Sequence, residues 1–162
     1  MHISKVLWLS YVKPTVYFRD ASQDPFYENT FHVKHTTECF LIDDDIDDQE
    51  IFQMALEHVD KNIAFMSAND GVEGLRKLTE DRSFVPDYIF LDLNMPKMNG
   101  MQCLPEIKKL GHLRDVKIIM YSTYSDESVI ETSKLLGAHD FLVKPDKLGL
   151  LVNKLSQILE KK

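Results

Sequence analysis

Five short apolar runs alternate with segments of helical periodicity, and this alternation limits the fold more than any other feature of the sequence. The runs are apolar at nearly every position, which is typical of strands that helices cover on both faces of a parallel sheet. The runs span residues 39–42, 62–66, 88–91, 116–120 and 141–143. The pattern predicts an α/β domain built on a doubly wound, five-stranded parallel sheet with helices on both faces.

The composition of the 162 residues argues against several classes of protein. A formal net charge of −7 argues against a nucleic-acid surface, since such surfaces neutralise phosphates with lysine and arginine. No run approaches the roughly 18 apolar residues that a membrane-spanning helix needs. Two cysteines cannot form a disulfide framework, so reduced thiols are expected. We therefore expect a cytoplasmic protein that binds neither nucleic acid nor membrane.

Polar side chains with one compatible chemistry follow the predicted strands. Asp43 and Asp44 follow the first run, Asp92 the third, Ser122 the fourth and Lys144 the fifth. Because the carboxyl ends of parallel strands meet at one edge of a sheet, these side chains are expected in one crevice. Clustered carboxylates repel, and their oxygens suit Mg²⁺, while a lysine and a hydroxyl bind phosphoryl oxygens. The pattern predicts a magnesium-dependent phosphoryl site with an aspartate acceptor.

Four segments together resemble the receiver domain of two-component response regulators. They are CFLIDDD at 39–45, FLDLNMP at 90–96 with Asn-Gly at 99–100, IMYS at 119–122, and FLVKP at 141–145. The resemblance covers about residues 37–161. It implies a flavodoxin-like sheet of strand order 2-1-3-4-5 and a receiver domain over residues 37–162.

The resemblance also implies roles for the acidic residues. Asp92 would accept the phosphoryl group from a phosphohistidine of a sensor histidine kinase or a histidine phosphotransfer protein. Mg²⁺ would be held by Asp43, Asp44, Asp92 and the backbone carbonyl of Asn94. Such a domain is a phosphoacceptor in signalling rather than an enzyme.

Three further positions have counterparts in such domains, and two of them, Ser122 and Phe141, correspond to the switch. Ser122 and Lys144 would bind phosphoryl oxygens, and Phe141 would turn inward as Ser122 moves towards the phosphoryl group. The changed face of helix four, strand five and helix five would be read by a downstream protein, and a homodimer is also compatible with it. The family often holds the bond between Lys144 and Pro145 in the cis form.

Two other interpretations stay open. The Asp43-x-Asp45 pattern also resembles the start of haloacid-dehalogenase-type phosphatases, although Asp47 stands where these have Thr or Val and Asp92 would have no role. The second interpretation is a receiver-like binding module that is never phosphorylated, although the sequence retains every residue of the predicted site. For Asp45, Asp47 and Asp48 a simpler interpretation is expected, as acids at the start of the first helix.

The first 36 residues precede the resemblance and contain many aromatic residues. They are either an N-terminal extension of unknown role or the product of a misassigned start, with translation beginning near Val33. Because the chain ends about where a receiver ends, we expect a single-domain response regulator.

Overall fold

A computed structural model describes residues 36–124 and 126–160, and these residues form one sheet of five parallel strands with five α-helices. The extension predicted for residues 1–36 lies almost wholly outside the described residues. The elements in chain order are β1 (Glu38–Ile42), α1 (Ile46–Val59), β2 (Ala64–Ala68), α2 (Gly71–Glu80), β3 (Tyr88–Asp92), α3 (Gly100–Lys108), a short 3₁₀ helix (Gly111–Leu113), β4 (Lys117–Ser122), α4 (Glu127–Leu135), β5 (Asp140–Val143) and α5 (Leu148–Leu159).

The strand order is β2-β1-β3-β4-β5 with every pair parallel, which confirms the predicted fold. The order places β1 and β3 at the centre of the sheet, between β2 and β4. In the register of β3 and β4, Asp92 lies opposite Tyr121. In the register of β4 and β5, Ser122 lies opposite Val143, so these strands end at one edge.

Two apolar layers cover the two faces of the sheet, because successive strand residues point to opposite sides. One layer packs strand side chains against α1 and α5, and the other packs them against α2, α3 and part of α4. The α1/α5 layer takes Cys39, Leu41, Tyr88, Phe90, Ile119, Tyr121 and Leu142 from the strands, and the opposite layer takes Phe40, Ile42, Ile89, Leu91, Ile118 and Met120. This alternation decides which polar residues meet at the strand ends.

Capping side chains begin the first four helices. Asp45, Asp70, Asn99 and Asp126 each accept a hydrogen bond from a backbone N–H of the helix that follows. Pro105 lies in the second turn of α3, which begins after Asn99. No helix in the described part of the chain is both long and apolar enough to cross a membrane.

Candidate phosphoryl and metal site

Four charged side chains meet at the carboxyl edge of the sheet, and we call Asp43, Asp44, Asp92 and Lys144 the acceptor site. Asp43 directly follows β1, Asp92 ends β3, and Lys144 directly follows β5. These three residues continue the alternation of Leu41, Phe90 and Leu142, whose side chains face α1 and α5. The strand period therefore brings two carboxylates and one ammonium group together.

Lys144 is held among three carboxylates and is almost buried. Its Nζ lies 2.8 Å from Asp43 Oδ2, 3.1 Å from Asp92 Oδ1 and 2.7 Å from Asp48 Oδ2, and only 10% of its side chain is exposed. The aromatic ring of Tyr121 lies 4.9 Å from the same Nζ. Burial disfavours the charge, but the hydrogen bonds and negative charges of the carboxylates hold the pKa of Lys144 above its ordinary value. Lys144 is therefore a fixed cation.

Asp43 is the most buried carboxylate of the site, at 1% exposure. Burial raises its pKa from 3.8 to about 6, against the opposing effect of the hydrogen bond and charge of Lys144 and a hydrogen bond from the N–H of Asp45. The charge of Asp92 adds to the rise. A carboxylate in this position is stabilised by any further cation that binds beside it.

The carboxylates form a set of ligands that fits Mg²⁺. Oxygen atoms from Asp43, Asp44 and Asp92 all lie within 4.8 Å of one another. Asp43 and Asp92 are buried whereas Asp44 is exposed, so the set opens to solvent on one side. Magnesium prefers oxygen ligands and keeps several waters, which such a half-open set allows.

Asn94 lies two residues beyond Asp92 in the loop between β3 and α3. Its backbone N–H donates a 2.7 Å hydrogen bond to Asp92 Oδ2, while Asp92 Oδ1 faces Lys144. Both oxygens of Asp92 therefore have partners that fix the carboxylate's orientation. Asn94 itself is exposed, in the loop where its carbonyl is expected to serve as a ligand.

Ser122 and Phe141 lie on the other side of the sheet from Lys144. Ser122 is buried at the end of β4, and its Oγ accepts a 3.2 Å hydrogen bond from the N–H of Tyr124. Phe141 is half-buried in β5 and packs against the α2/α3 layer. Ser122 follows the alternation of Ile118 and Met120, so it shares a sheet face with Phe141.

Several contacts hold the loops around the acceptor site. Gln49 Nε2 donates to the carbonyl of Asp43 at 2.7 Å and to Asn69 Oδ1 at 3.1 Å, which joins the loops after β1 and β2. Asp70 and Lys97 form a 2.5 Å ion pair between the start of α2 and the loop after β3. A side chain on Gly100 would collide with the carbonyl oxygen of Asp92, so glycine allows α3 to begin directly beside Asp92.

Asp48 and Tyr121 contact Lys144 although the motif spacing does not identify them. The expectation that Asp48 is only a first-turn acid of α1 is incomplete, since its carboxylate lies 2.7 Å from Lys144 Nζ. One signal in the sequence does mark Asp48. It precedes the buried Phe52 by four residues, so it falls on the apolar stripe of α1, where a charged residue needs a partner.

The structure bears on two other expectations, the phosphatase role of Asp45 and the cis bond before Pro145. Asp45 Oδ1 accepts hydrogen bonds from the N–H groups of Asp47 and Asp48, which caps α1 and leaves it poorly suited to the catalytic role in a phosphatase. The expected cis bond between Lys144 and Pro145 is wrong, because no peptide bond among the described residues is cis.

Cys39 and Cys103 are buried free thiols, and burial raises the pKa of each to about 12.

Comparison with known proteins agrees with this geometry. Residues 39–156 match the family described as the response regulator receiver domain. The chemotaxis protein CheY of Thermotoga maritima is 26% identical over 113 residues, which are 70% of this chain and 92% of CheY. The probable C4-dicarboxylate response regulator DctR of Bacillus subtilis is 33% identical over 121 residues, and the match spans 75% of this chain but only half of DctR.

A solved structure of the phosphorylated cyanobacterial phytochrome response regulator RcpA superposes with a TM-score of 0.70. It is 29% identical in sequence, and the match covers 77% of this chain and 92% of RcpA. Receiver domains are phosphoacceptor signalling domains that generally bind Mg²⁺ at an acidic pocket, and the described residues contain a cluster of three aspartates. The family match, the strand order of the sheet and the residues at the strand ends agree. The chain belongs to the response regulator receiver domain family.

Proposed function

We propose that residues 37–162 act as a receiver that accepts a phosphoryl group on Asp92 from a phosphohistidine. The donor would be a sensor histidine kinase or a histidine phosphotransfer protein. One observation carries the proposal: the ammonium group of Lys144 lies within 3.1 Å of both Asp43 and Asp92, beside Asp44, where the parallel strands end. This arrangement combines a nucleophile, metal ligands and a cation for the phosphoryl oxygens.

The metal would be held by the carboxylates of Asp43, Asp44 and Asp92 and by the backbone carbonyl of Asn94. The raised pKa of the buried Asp43 supports this, because a bound cation offsets the cost of its charge. When bound there, Mg²⁺ supplies positive charge against the charge that builds up on the phosphoryl oxygens.

In the transfer step, a carboxylate oxygen of Asp92 attacks the phosphorus atom while the bond from phosphorus to the donor histidine breaks. The electron pair of that bond stays on the histidine ring. Lys144 keeps its place beside Asp92 and donates a hydrogen bond to one phosphoryl oxygen, and the hydroxyl of Ser122 donates to another. The product is an acyl phosphate on Asp92.

The acyl phosphate would change the face formed by α4, β5 and α5. It carries about −1.5 to −2 of charge in place of the single negative charge of the Asp92 carboxylate, and the new phosphoryl oxygens draw Ser122 towards them. Ser122 and Phe141 share one side of the sheet, so movement of the first frees space for the second. Leu135 and Val143 are exposed apolar side chains on this face, at 88% and 41%. They suit a downstream protein or a second copy of the chain better than nucleic acid.

The same proposal places the protein in the cytoplasm. Cys39 and Cys103 are free thiols, as expected where the surroundings are reducing. A phosphohistidine donor of the kind proposed also has to reach the acceptor site from the same compartment.

The test is the intact mass of the protein after incubation with acetyl phosphate and Mg²⁺. We expect the wild-type protein to gain one phosphoryl group and Asp92→Asn to gain none. Asp47→Asn is the matched control, because Asp47 is exposed and makes no ion pair among the described residues. Reduction of the acyl phosphate with borohydride followed by peptide mapping should mark Asp92.

Each alternative predicts a different outcome of this experiment. A phosphatase would carry phosphate in Asp92→Asn and lose it in Asp43→Asn. A binding module that is never phosphorylated would gain no mass from acetyl phosphate or from a phosphorylated histidine kinase. Either outcome would contradict the proposal.

A further inference from the structure

Asp48 is a third carboxylate on Lys144, and it comes from α1 instead of a strand end. Its Oδ2 lies 2.7 Å from Lys144 Nζ, closer than the oxygens of Asp43 at 2.8 Å and Asp92 at 3.1 Å. An ammonium group has three N–H donors. Two of them donate hydrogen bonds to Asp43 and Asp48, and Asp92 forms an ion pair with the same ammonium group.

Helix-dipole stabilisation does not account for this contact. Asp47 and Asp48 both lie in the first turn of α1, where acids are favoured, yet Asp47 forms no ion pair among residues 36–124 and 126–160. Asp48 instead lies on the stripe that leads to the buried Phe52, and 34% of its side chain is exposed. Its position over Lys144 is therefore set by the packing of α1 on the sheet.

We propose that Asp48 is a positioning residue that holds Lys144 and thereby raises the affinity of the acceptor site for Mg²⁺. This inference rests on the proposed function. Without Asp48, the ammonium group would pair wholly with Asp43 and Asp92, which are the carboxylates the metal needs. Asp48 draws part of that interaction away and adds a negative charge nearby, and both effects favour a divalent cation.

Asp48 also fixes the ammonium group for the phosphorylated state. When Asp92 carries the phosphoryl group, the third N–H of Lys144 donates to a phosphoryl oxygen. The two remaining donors stay on Asp43 and Asp48, so Nζ stays in place. The ring of Tyr121, whose centroid lies 4.9 Å from Nζ, adds a cation–π contact to the same group.

The experiment measures the dissociation constant of Mg²⁺ by calorimetry at pH 7.5. We expect Asp48→Asn to weaken binding about tenfold, as is common when a group that orients metal ligands is lost. Asp47→Asn removes the same charge from the same turn and should change the constant by about twofold at most, because exposed charges are screened. Asp48→Glu keeps the charge and should restore much of the affinity.

A double-mutant cycle with Lys144→Met separates positioning from simple charge. In the Lys144→Met background, Asp48→Asn should weaken Mg²⁺ binding no more than Asp47→Asn does. The inference would be overturned if Asp48→Asn weakened Mg²⁺ binding equally with and without Lys144. It would also be overturned if Asp48→Asn and Asp47→Asn had the same Mg²⁺ dissociation constant. Either result would leave the proposed function intact. If Asp48→Asn does not fold, Asp48→Ser replaces it in both comparisons, with the same expected loss of Mg²⁺ affinity. Wild-type protein that bound no Mg²⁺ would overturn the proposed function and the inference together.

Discussion

At the scale of single residues, the buried Asp43 determines how the acceptor site responds to pH. Its pKa in the folded protein is about 6, whereas an ordinary aspartate has a pKa of 3.8, because burial disfavours the charged form. A carboxyl group with a raised pKa stabilises the fold below pH 3.8, and that contribution is lost as the pH rises through about 6. In the absence of Mg²⁺, the charged Asp43 therefore lowers the stability of the protein at neutral pH.

We expect Asp43→Asn to be more stable than the wild-type protein at pH 7.5 in EDTA. The gain should be on the order of 3 kcal/mol, since the pKa is raised by about two units and each unit corresponds to about 1.4 kcal/mol. Urea unfolding at several pH values measures it, and the difference between the two proteins should grow from pH 4 to pH 6 and then level off. A difference that did not change with pH would show that Asp43 does not titrate in this range.

Lys144 has the opposite effect on stability, because it is the cation among three carboxylates. Lys144→Met should lower the free energy of unfolding by about 3 kcal/mol in EDTA, as is typical when one partner of a buried ion pair is removed. Saturating Mg²⁺ should restore more stability to this variant than to the wild-type protein. Lys109→Met is the control, since Lys109 is 68% exposed and its pair with Glu106 contributes little. An equal Mg²⁺ effect in both proteins would contradict the expectation.

At the scale of secondary-structure elements, the start of α3 determines the geometry of the acceptor loop. The backbone of Gly100 lies against the carbonyl oxygen of Asp92, and its N–H donates to the carbonyl of Leu93 at 3.1 Å. Gly100→Ala should therefore push α3 away from β3, destabilise the fold by about 2 kcal/mol and slow phosphorylation of Asp92. The methyl group added by Gly149→Ala in α5 would have no atom within 4 Å. This variant should therefore have the same stability as the wild-type protein or a slightly higher one. Equal unfolding midpoints for the two variants would show that the contact at Gly100 is not restrictive.

The elements were largely predictable because buried parallel strands are continuously apolar. The boundaries of β2 were not, and the strand spans Ala64–Ala68 where the apolar pattern predicts 62–66. The difference arises because Asp60 Oδ1 accepts hydrogen bonds from Asn62 and closes a turn there. Ser67, which interrupts the apolar pattern, pairs with Leu41 in the sheet. Such turns depend on side-chain contacts that hydrophobic periodicity does not describe.

The candidate site was predictable for the same reason that it forms, since the strand ends bring Asp43, Asp92 and Lys144 to one edge. The contact of Lys144 with Asp48 depends on how α1 rotates as it packs on the sheet. Motif spacing along the chain contains no information on that rotation. A charged residue four positions before the buried Phe52 is the one local sign of it.

At the scale of the whole molecule, the acceptor site exists only when the chain is folded. Lys144 is separated from Asp43 by 101 residues and from Asp48 by 96. The site therefore forms only when the last strand joins the sheet. Any cation that binds the assembled carboxylates must stabilise the folded state over the unfolded one.

Residues 35–162 form one compact unit that contains the sheet, both apolar layers and the acceptor site. We therefore expect a fragment of these residues to unfold in one cooperative transition and to accept one phosphoryl group on Asp92. Mg²⁺ at 100 times its dissociation constant should raise the free energy of unfolding by about 2.7 kcal/mol in the fragment and in the whole chain alike. Urea unfolding with and without Mg²⁺ measures both values. A fragment without a cooperative transition, or with a smaller Mg²⁺ effect than the whole chain, would mean that the receiver needs residues 1–34.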